Sequence, residues 1–433
     1  MTALPHRHDA PSHNRAPIAP SASQLKQIVV PKFYKTFQCI GAECENHCCH
    51  DWTVTLDKDT YQKYKKHGDI KVRQIAQKHT SSCGQHSLNY RQIKMDKDGN
   101  CPFLDTDRLC YLHKYHGEEI LPATCQIYPR EDRLMGTDLV SSLSISCPEA
   151  ARNILLDPSA MVLDLEPLSA RQALPKFYLT GQIDDIETLR LFKDAAFAGL
   201  LAENTETVEG RLYNLGFLFR LTAQRLAQKE ALRPLFTNFT QLIHDGKLND
   251  LFAKTQPAQK AQEFVTQQLL GDGGFIRDNQ AFTHYQQRAF KKVISKTQIT
   301  QAADSNSPVA EGRLDLKDFY NSHCRQGFTS LVDSHGHAFI NFFLHWVYST
   351  PFDLTNADRL FARFAQFTLK FFYIRLICSL LADDEEHGAL LVGVIHSISR
   401  RADHDTHLAN EVYQRLQAGG MAQHEHFLGL IKV

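Results

Sequence analysis

Four cysteines fall within the eleven residues Cys39-Ile-Gly-Ala-Glu-Cys44-Glu-Asn-His-Cys48-Cys49, and they limit what this chain can fold into. Thiols crowded into a turn-rich segment must be oxidised, buried or bound to something. Three more follow as a second group, Cys101, Cys110 and Cys125, and Cys147 closes the series. Of the eleven cysteines, nine precede residue 150, so the unusual chemistry is concentrated in the first third. Cys324 and Cys378 stand alone in apolar stretches with helical spacing.

The compartment decides between disulfides and metal. Residues 1–27 carry Pro5, Pro11, Pro17 and Pro20 among Ser, Asn and His, which predicts a disordered tail without the apolar core of an export signal. The most apolar later run, Phe361–Leu381, is interrupted by Arg363, Lys370 and Arg375, so it reads as a buried helix and not a membrane span. A cytoplasmic protein is expected, and there a cysteine cluster is read as a metal site. With 43% hydrophobic residues and a formal net charge of +0, the composition is that of a globular chain with no basic field for nucleic acid.

Period-2 alternation in 52–56 and 139–146 predicts short strands, and a further strand is expected over 88–95. Asp57 or Asp59 is placed to cap a helix running to about residue 78. Asp98-Gly99 and Asp105-Thr-Asp107 predict turns that bring Cys101 and Cys110 together. The aromatics of 31–37 are expected to cover the thiols, and Pro148 to open a helix behind Cys147. From about residue 180 the period becomes 3.6, with apolar stripes over 186–202, 210–229, 258–270, 281–295, 338–348, 358–381, 388–402 and 408–418. The expected fold is mainly α: a small mixed α+β cysteine-rich metal-binding region over 28–155, then an all-helical body over 156–433.

Thiolates suit zinc, iron–sulfur clusters and copper(I), and the spacings alone do not choose among them. The pattern is neither a paired CxxC…CxxC zinc ribbon nor a CxxxCxxC, since Asp51 stands where the latter needs its third cysteine. Adjacent Cys48 and Cys49 are expected to point different ways and need not serve one metal. His47 and His50 are weaker ligand candidates, because the cysteines suffice.

The run from Phe37 to Trp52, with Cys101-Pro-Phe-Leu, Cys110-Tyr-Leu, Thr124-Cys125-Gln-Ile-Tyr-Pro-Arg130 and Ser146-Cys147-Pro-Glu149, resembles the motifs of the flagellin lysine-N-methylase family, within a wider zinc- or iron-chelating group. Weaker helical likenesses continue through Phe339-Ile-Asn-Phe-Phe, 369–381 and His396-Ser-Ile-Ser-Arg400. The resemblance implies transfer of a methyl group from S-adenosylmethionine to surface lysines of flagellin, with a [4Fe–4S] cluster held by cysteine. It makes Cys39, Cys44, Cys48, Cys49, Cys101, Cys110, Cys125 and Cys147 the metal-ligand candidates. Eight exceed the four thiolates one cubane takes, so some are structural or a second metal such as zinc is present. Cys83 matches no motif.

The glycine-rich donor loop of a Rossmann-type methyltransferase is missing; Gly271-Asp-Gly-Gly274 lies between helical stripes. The donor then binds either at an open iron or among acidic and aromatic groups near the thiols: Tyr34, Glu43, Glu45, Asp51, Trp52, Tyr111, Glu118 and Tyr128. The rival reading is a non-catalytic zinc- or iron-binding interaction module, with the helical body as its docking surface.

Overall fold

The computed structural model describes residues 27–50, 53–83, 89–166, 179–180, 185–270, 283–293, 324–402 and 413–432. Residues 1–26 of the expected tail, Asp51, Trp52 and the glycine-rich stretch at 271–274 lie outside them, while Gln27, expected in the tail, opens the first strand. The fold is mainly α, with a mixed cysteine-rich N-terminal region and a helical body.

The strands in chain order are β1 (Gln27–Pro31), β2 (Thr55–Leu56), β3 (Thr80–Ser82), β4 (Arg91–Ile93), β5 (Arg130–Met135), β6 (Asp138–Leu143), β7 (Leu163–Glu166) and β8 (Leu179–Thr180). They form two sheets. The three-stranded sheet, order β2-β4-β3, belongs to the thiol region; the five-stranded one runs β7-β1-β6-β5-β8. In the larger sheet β1 pairs parallel to β6, Ile28 opposite Leu139, and antiparallel to β7. Such a sheet is not legible in the alternation of any one segment, because it joins residues more than a hundred apart.

The helix expected up to residue 78 is two helices. Asp57 caps Lys58–Lys65 through the Thr60 amide at 2.8 Å, and Asp69 caps Ile70–Lys78 through the Lys71 amide at 2.7 Å. Each aspartate satisfies an amide that has no partner inside its helix. These helices and the small sheet enclose a minor core of Val54, Leu56, Tyr64, Val72, Ile93, Phe103, Leu112 and Leu121.

A larger core runs through the helical body. Helices Arg325–Ser349 and Ala357–Leu381 lie side by side, so close that a Cβ at Gly327 would collide with the Ser379 carbonyl. Trp346 stacks on Phe367 with ring centroids 4.0 Å apart, and Phe219 stacks on Phe364 at 5.2 Å. The apolar Ala357–Leu381 helix is long enough to cross a membrane, but 89% of its most apolar window is buried inside the protein. Its buried Arg375 donates to the carbonyls of Leu430, at 2.9 Å, and Ile431, satisfying the end of the last helix.

One expectation fails here. Phe33 and Phe37 do not cover the thiols; both belong to the larger core, with Phe33 edge-on to His345 at 5.6 Å. The short Lys32–Thr36 helix packs on Pro148–Leu155 and β1, which turns its aromatics toward the helical body.

Candidate metal centre

Separate pieces of chain bring the thiols together. Cys49 accepts the Cys101 amide at 2.9 Å, and His50 bridges Asn100, so the first cysteine loop lies along the second. The Asp96–Asn100 turn that aims Cys101 is built by Asp96, whose carboxylate takes the amides of Asp98 and Asn100, both at 2.8 Å. Leu104 bridges Cys110, which places Cys110 at the N-cap of Tyr111–His116. Cys125 arrives on the helix Ala123–Ile127, whose first turn follows Pro122.

The result is a cavity of about 80 Å³ whose lining includes Cys48, Cys49, Cys101, Cys110 and Cys125. The rest of the wall is largely apolar, with Val54, Ile93, Phe103, Leu112 and Leu121, and Tyr128 and His113 add polar edges. Cys48 and Cys49, expected to diverge, face one cavity. Cys44 and Cys147 stand within electrostatic reach of Cys48 but do not line it. Cys39 is exposed and also lies outside the lining. Cys83 is exposed with its thiol 3.7 Å from Gln92 Oε1, while Cys324 and Cys378 are buried in the helical core.

The protonation chemistry follows from this geometry. Hydrogen bonds shared by Cys49 with Cys110 and Cys48 push its own thiol far up and pull both neighbours below the ordinary thiol range. Burial pushes Cys101 and Cys147 up to about 12, and Cys125 well up. A buried thiol resists ionisation until a cation compensates for lost water, and a bound metal does so. Beside Cys48, the Nδ1 of His47 is buried with no hydrogen-bond partner. The donor set therefore fits a thiophilic metal centre. Among the described residues no three His, Cys, Asp or Glu side chains stand in the geometry of a single ion.

The cysteine loop is held by arginines. Arg108 donates to the Cys44 carbonyl at 2.8 Å, and Arg152 pairs with Glu45 at 2.7 Å. Arg400, from helix His387–Ala402, donates to Asn46 Oδ1 at 2.5 Å and to the His50 carbonyl. The far end of the chain thus clamps the thiol loop. One turn earlier on that helix, His396 is buried with Nδ1 unpartnered, and burial lowers its pKa to about 4. Of these, only the block holding His396 and Arg400 drew notice in the sequence, as a helical likeness; its contact with residues 350 positions away left no local signal. Arg108 carries one retrospective cue, an Asp-Thr-Asp-Arg turn in which it takes φ 63°.

Among the described residues, four of the six acidic and aromatic groups near the thiols are already engaged. Tyr111 donates to Asp69 at 2.7 Å, Tyr128 meets Ser146 at 3.2 Å, Tyr34 donates to Asp132 at 3.4 Å, and Glu45 holds Arg152. Glu43 is exposed, and Glu118 sits in the short turn Glu118–Ile120. His50 lies 2.9 Å from the Asp98 carbonyl.

A thiol-lined chelating region clamped by a helical body defines the class, and comparison with known proteins agrees. Residues 38–147 match a CxxCxxCC domain model described as a candidate zinc- or iron-chelating domain. Residues 196–430 match the FliB lysine N-methylase C-terminal domain, and the chain belongs to that family. A protein named lysine-N-methylase from Salmonella typhimurium is 26% identical over 91% of this chain and 96% of its own length. Its namesake from Salmonella choleraesuis matches equally. A flagellar biosynthetic protein, FliU, from Salmonella muenchen is 38% identical over 36% of this chain and 93% of its own length. No solved structure matches. The chain is accordingly a methyltransferase of the lysine N-methylase family with a metal-chelating N-terminal region.

Proposed function

We propose that this protein transfers methyl groups from S-adenosylmethionine to surface lysines of flagellin in the cytoplasm, and that its cysteines hold a [4Fe–4S] cluster. The observation that carries the cluster is the convergence of Cys48, Cys49, Cys101, Cys110 and Cys125 on one cavity. Five thiols exceed the four that either one zinc ion or one cubane takes, so one is spare in either case, and the family likeness is what favours the cluster over a lone zinc. Cys44 and Cys147, outside the lining, are left for a structural role or a second metal. Flagellin as the substrate is supported by family membership and by the flagellar name of one relative.

The reaction is a displacement. The lysine nitrogen forms a bond to the methyl carbon as the carbon–sulfur bond breaks, and its electron pair stays on sulfur as S-adenosylhomocysteine. The methylated ammonium releases its proton to solvent. The amine must be neutral to attack, yet a free lysine holds its proton up to a pH of about 10.4, so an apolar approach that strips water assists it. A bound cluster would tie four distant segments into one rigid unit. Arg108, Arg152 and Arg400 hold the loop that carries Cys44, Cys48 and Cys49. Purified flagellin, labelled S-adenosylmethionine and anaerobically prepared enzyme test the reading. Label on flagellin lysines and iron with inorganic sulfide in the enzyme are expected; a colourless zinc protein that labels nothing would leave only the chelating module.

A further inference from the structure

A second cavity, of about 640 Å³, lies in the helical body and plays no part in the thiol site. It is bounded by the turn after Pro148–Leu155, by helices Ile186–Leu200 and Val208–Ala227, and by Arg325–Ser349. Its volume is in the range of small-molecule sites, roughly 300–1,000 Å³.

Three features mark it as built for a ligand. Arg211 lines it, half-buried, with one nitrogen donating to the Leu200 carbonyl at 2.6 Å and no carboxylate paired to it among the described residues. Burial lowers the pKa of this guanidinium, with no anion to offset the loss of water. Helix Arg325–Ser349 breaks at His335 (φ −138°, ψ 31°), and the next residue, Gly336, forms part of the wall. A break inside a helix needs a cause, and such breaks gather at functional sites. Finally, the rim carries Val162, Leu163 and Leu201, which are 56%, 41% and 56% exposed. Apolar side chains gathered at the mouth of a cavity mark a place of contact.

The chemistry of the walls is that of a zwitterion with an aromatic body. Arg211 supplies a cation for a carboxylate, Glu206 an anion for a positive centre or a diol, and Phe197 an aromatic ring. His337 and Asn341 bond the carbonyls of Leu156 and Asp157, at 3.2 and 2.8 Å, so the amide oxygen of Asn341 remains as an acceptor. We propose that this cavity binds S-adenosylmethionine, with Arg211 on its carboxylate and the exposed rim admitting the target lysine. The proposal rests on the methyl-transfer reading above and supplies the donor site that the absent glycine-rich loop leaves open. It also places donor and metal in separate cavities, which share no lining residue.

Calorimetry of the full, anaerobically purified chain with S-adenosylmethionine and S-adenosylhomocysteine tests it. Gly336→Leu fills the cavity, and its Cβ would meet only Val332 Cγ1, at 3.4 Å. Arg211→Gln removes the cation. Each variant is expected to weaken both ligands by about tenfold or more, with iron content and helical circular dichroism unchanged. If Arg211→Gln misfolds for want of its bond to Leu200, Gly336→Leu carries the test. Affinities within about twofold of the parent in Gly336→Leu overturn the donor site and leave the methyl-transfer reading standing. A parent that binds neither compound and labels no flagellin overturns both.

Discussion

The thiol region and the helical body are stabilised by different means. The body uses long helices and an aromatic core: Phe339, Phe343, Phe364 and Phe371 are almost wholly buried, and Trp346 lies flat on Phe367. The thiol region has strands of two or three residues, helices of five to nine, and a minor core led by Tyr64 and Phe103. Small cores rarely outweigh chain entropy unaided. There the thiols occupy the place that large side chains fill elsewhere. In such a region metal binding and folding are one equilibrium.

Removing the metal gives the largest expected effect. Replacement of Cys48 or Cys125 by Ser should release most of the iron and expose the amides of 44–125 to hydrogen exchange, while the helical body keeps its circular dichroism. Cys44→Ser is expected to do the same if Cys44 is a ligand, and to spare the iron if its place outside the cavity lining marks a structural role. Cys324→Ser and Cys378→Ser, in the helical core, should leave iron unchanged. Equal iron in all five variants would end the distinction between the two regions.

The converse variant is Phe367→Ala. Phe367 is 2% exposed and lies between Trp346 and Phe342, so its loss opens a cavity costing about 4 kcal/mol. Denaturant melts followed by helical signal should show the loss, and iron content in the native state should not change. Iron release at native conditions would mean that the two regions fold as one.

Arg400 joins them. Arg400→Ala removes bonds to Asn46 and to the His50 carbonyl, for about 2 kcal/mol. Exchange should quicken over 44–50 with little change in the melting of the body. An unaltered exchange pattern would show that the thiol loop holds its own shape.

The sequence showed these regions unequally. The helical stripes were legible because each repeats within one segment, and helices fill them where the residues are described: 210–229 falls on Val208–Ala227 and 358–381 on Ala357–Leu381, while 408–412 of the last stripe lies outside the described residues. Asp98-Gly99 marked the turn beside Cys101, since only a few residue types suit φ near +81°, which Gly99 takes. Helices Arg233–His244 and Lys247–Lys254 went unread: the second is only about two turns long, whereas the first carries a legible stripe of Leu235, Phe236, Phe239 and Ile243 that was passed over. The pairing of β1 with β6 and the seating of Phe33 in the helical core depend on contacts more than a hundred residues apart. The cysteines stood out by residue type. Which of them meet was not legible, because only the folded chain turns Cys48 and Cys49 toward one cavity and leaves Cys39 outside its lining.

The smallest expected effect is a gain. Lys193, on helix Ile186–Leu200, is 7% exposed and donates to the Tyr348 carbonyl at 2.7 Å. Burial, with a smaller contribution from the nearby Arg133, lowers its pKa to about 7. Between pH 7 and the ordinary lysine value of 10.5 the unfolded chain holds a proton that the folded chain has released. Stability therefore rises with pH across that window and is lowest, and level, below it. Lys193→Met keeps the length of the side chain and removes the charge. It leaves the Tyr348 carbonyl without this donor, which costs about 1 kcal/mol, against a larger relief from no longer burying an ammonium. The net expectation at pH 7 is a gain of about 1–2 kcal/mol, and a stability curve flat between pH 7 and 10 where the parent rises. Urea melts at a series of pH values measure both. A variant less stable than the parent at pH 7 would show that the helical body depends on this buried amine, and would narrow the contrast with the thiol region, where polar groups hold the fold.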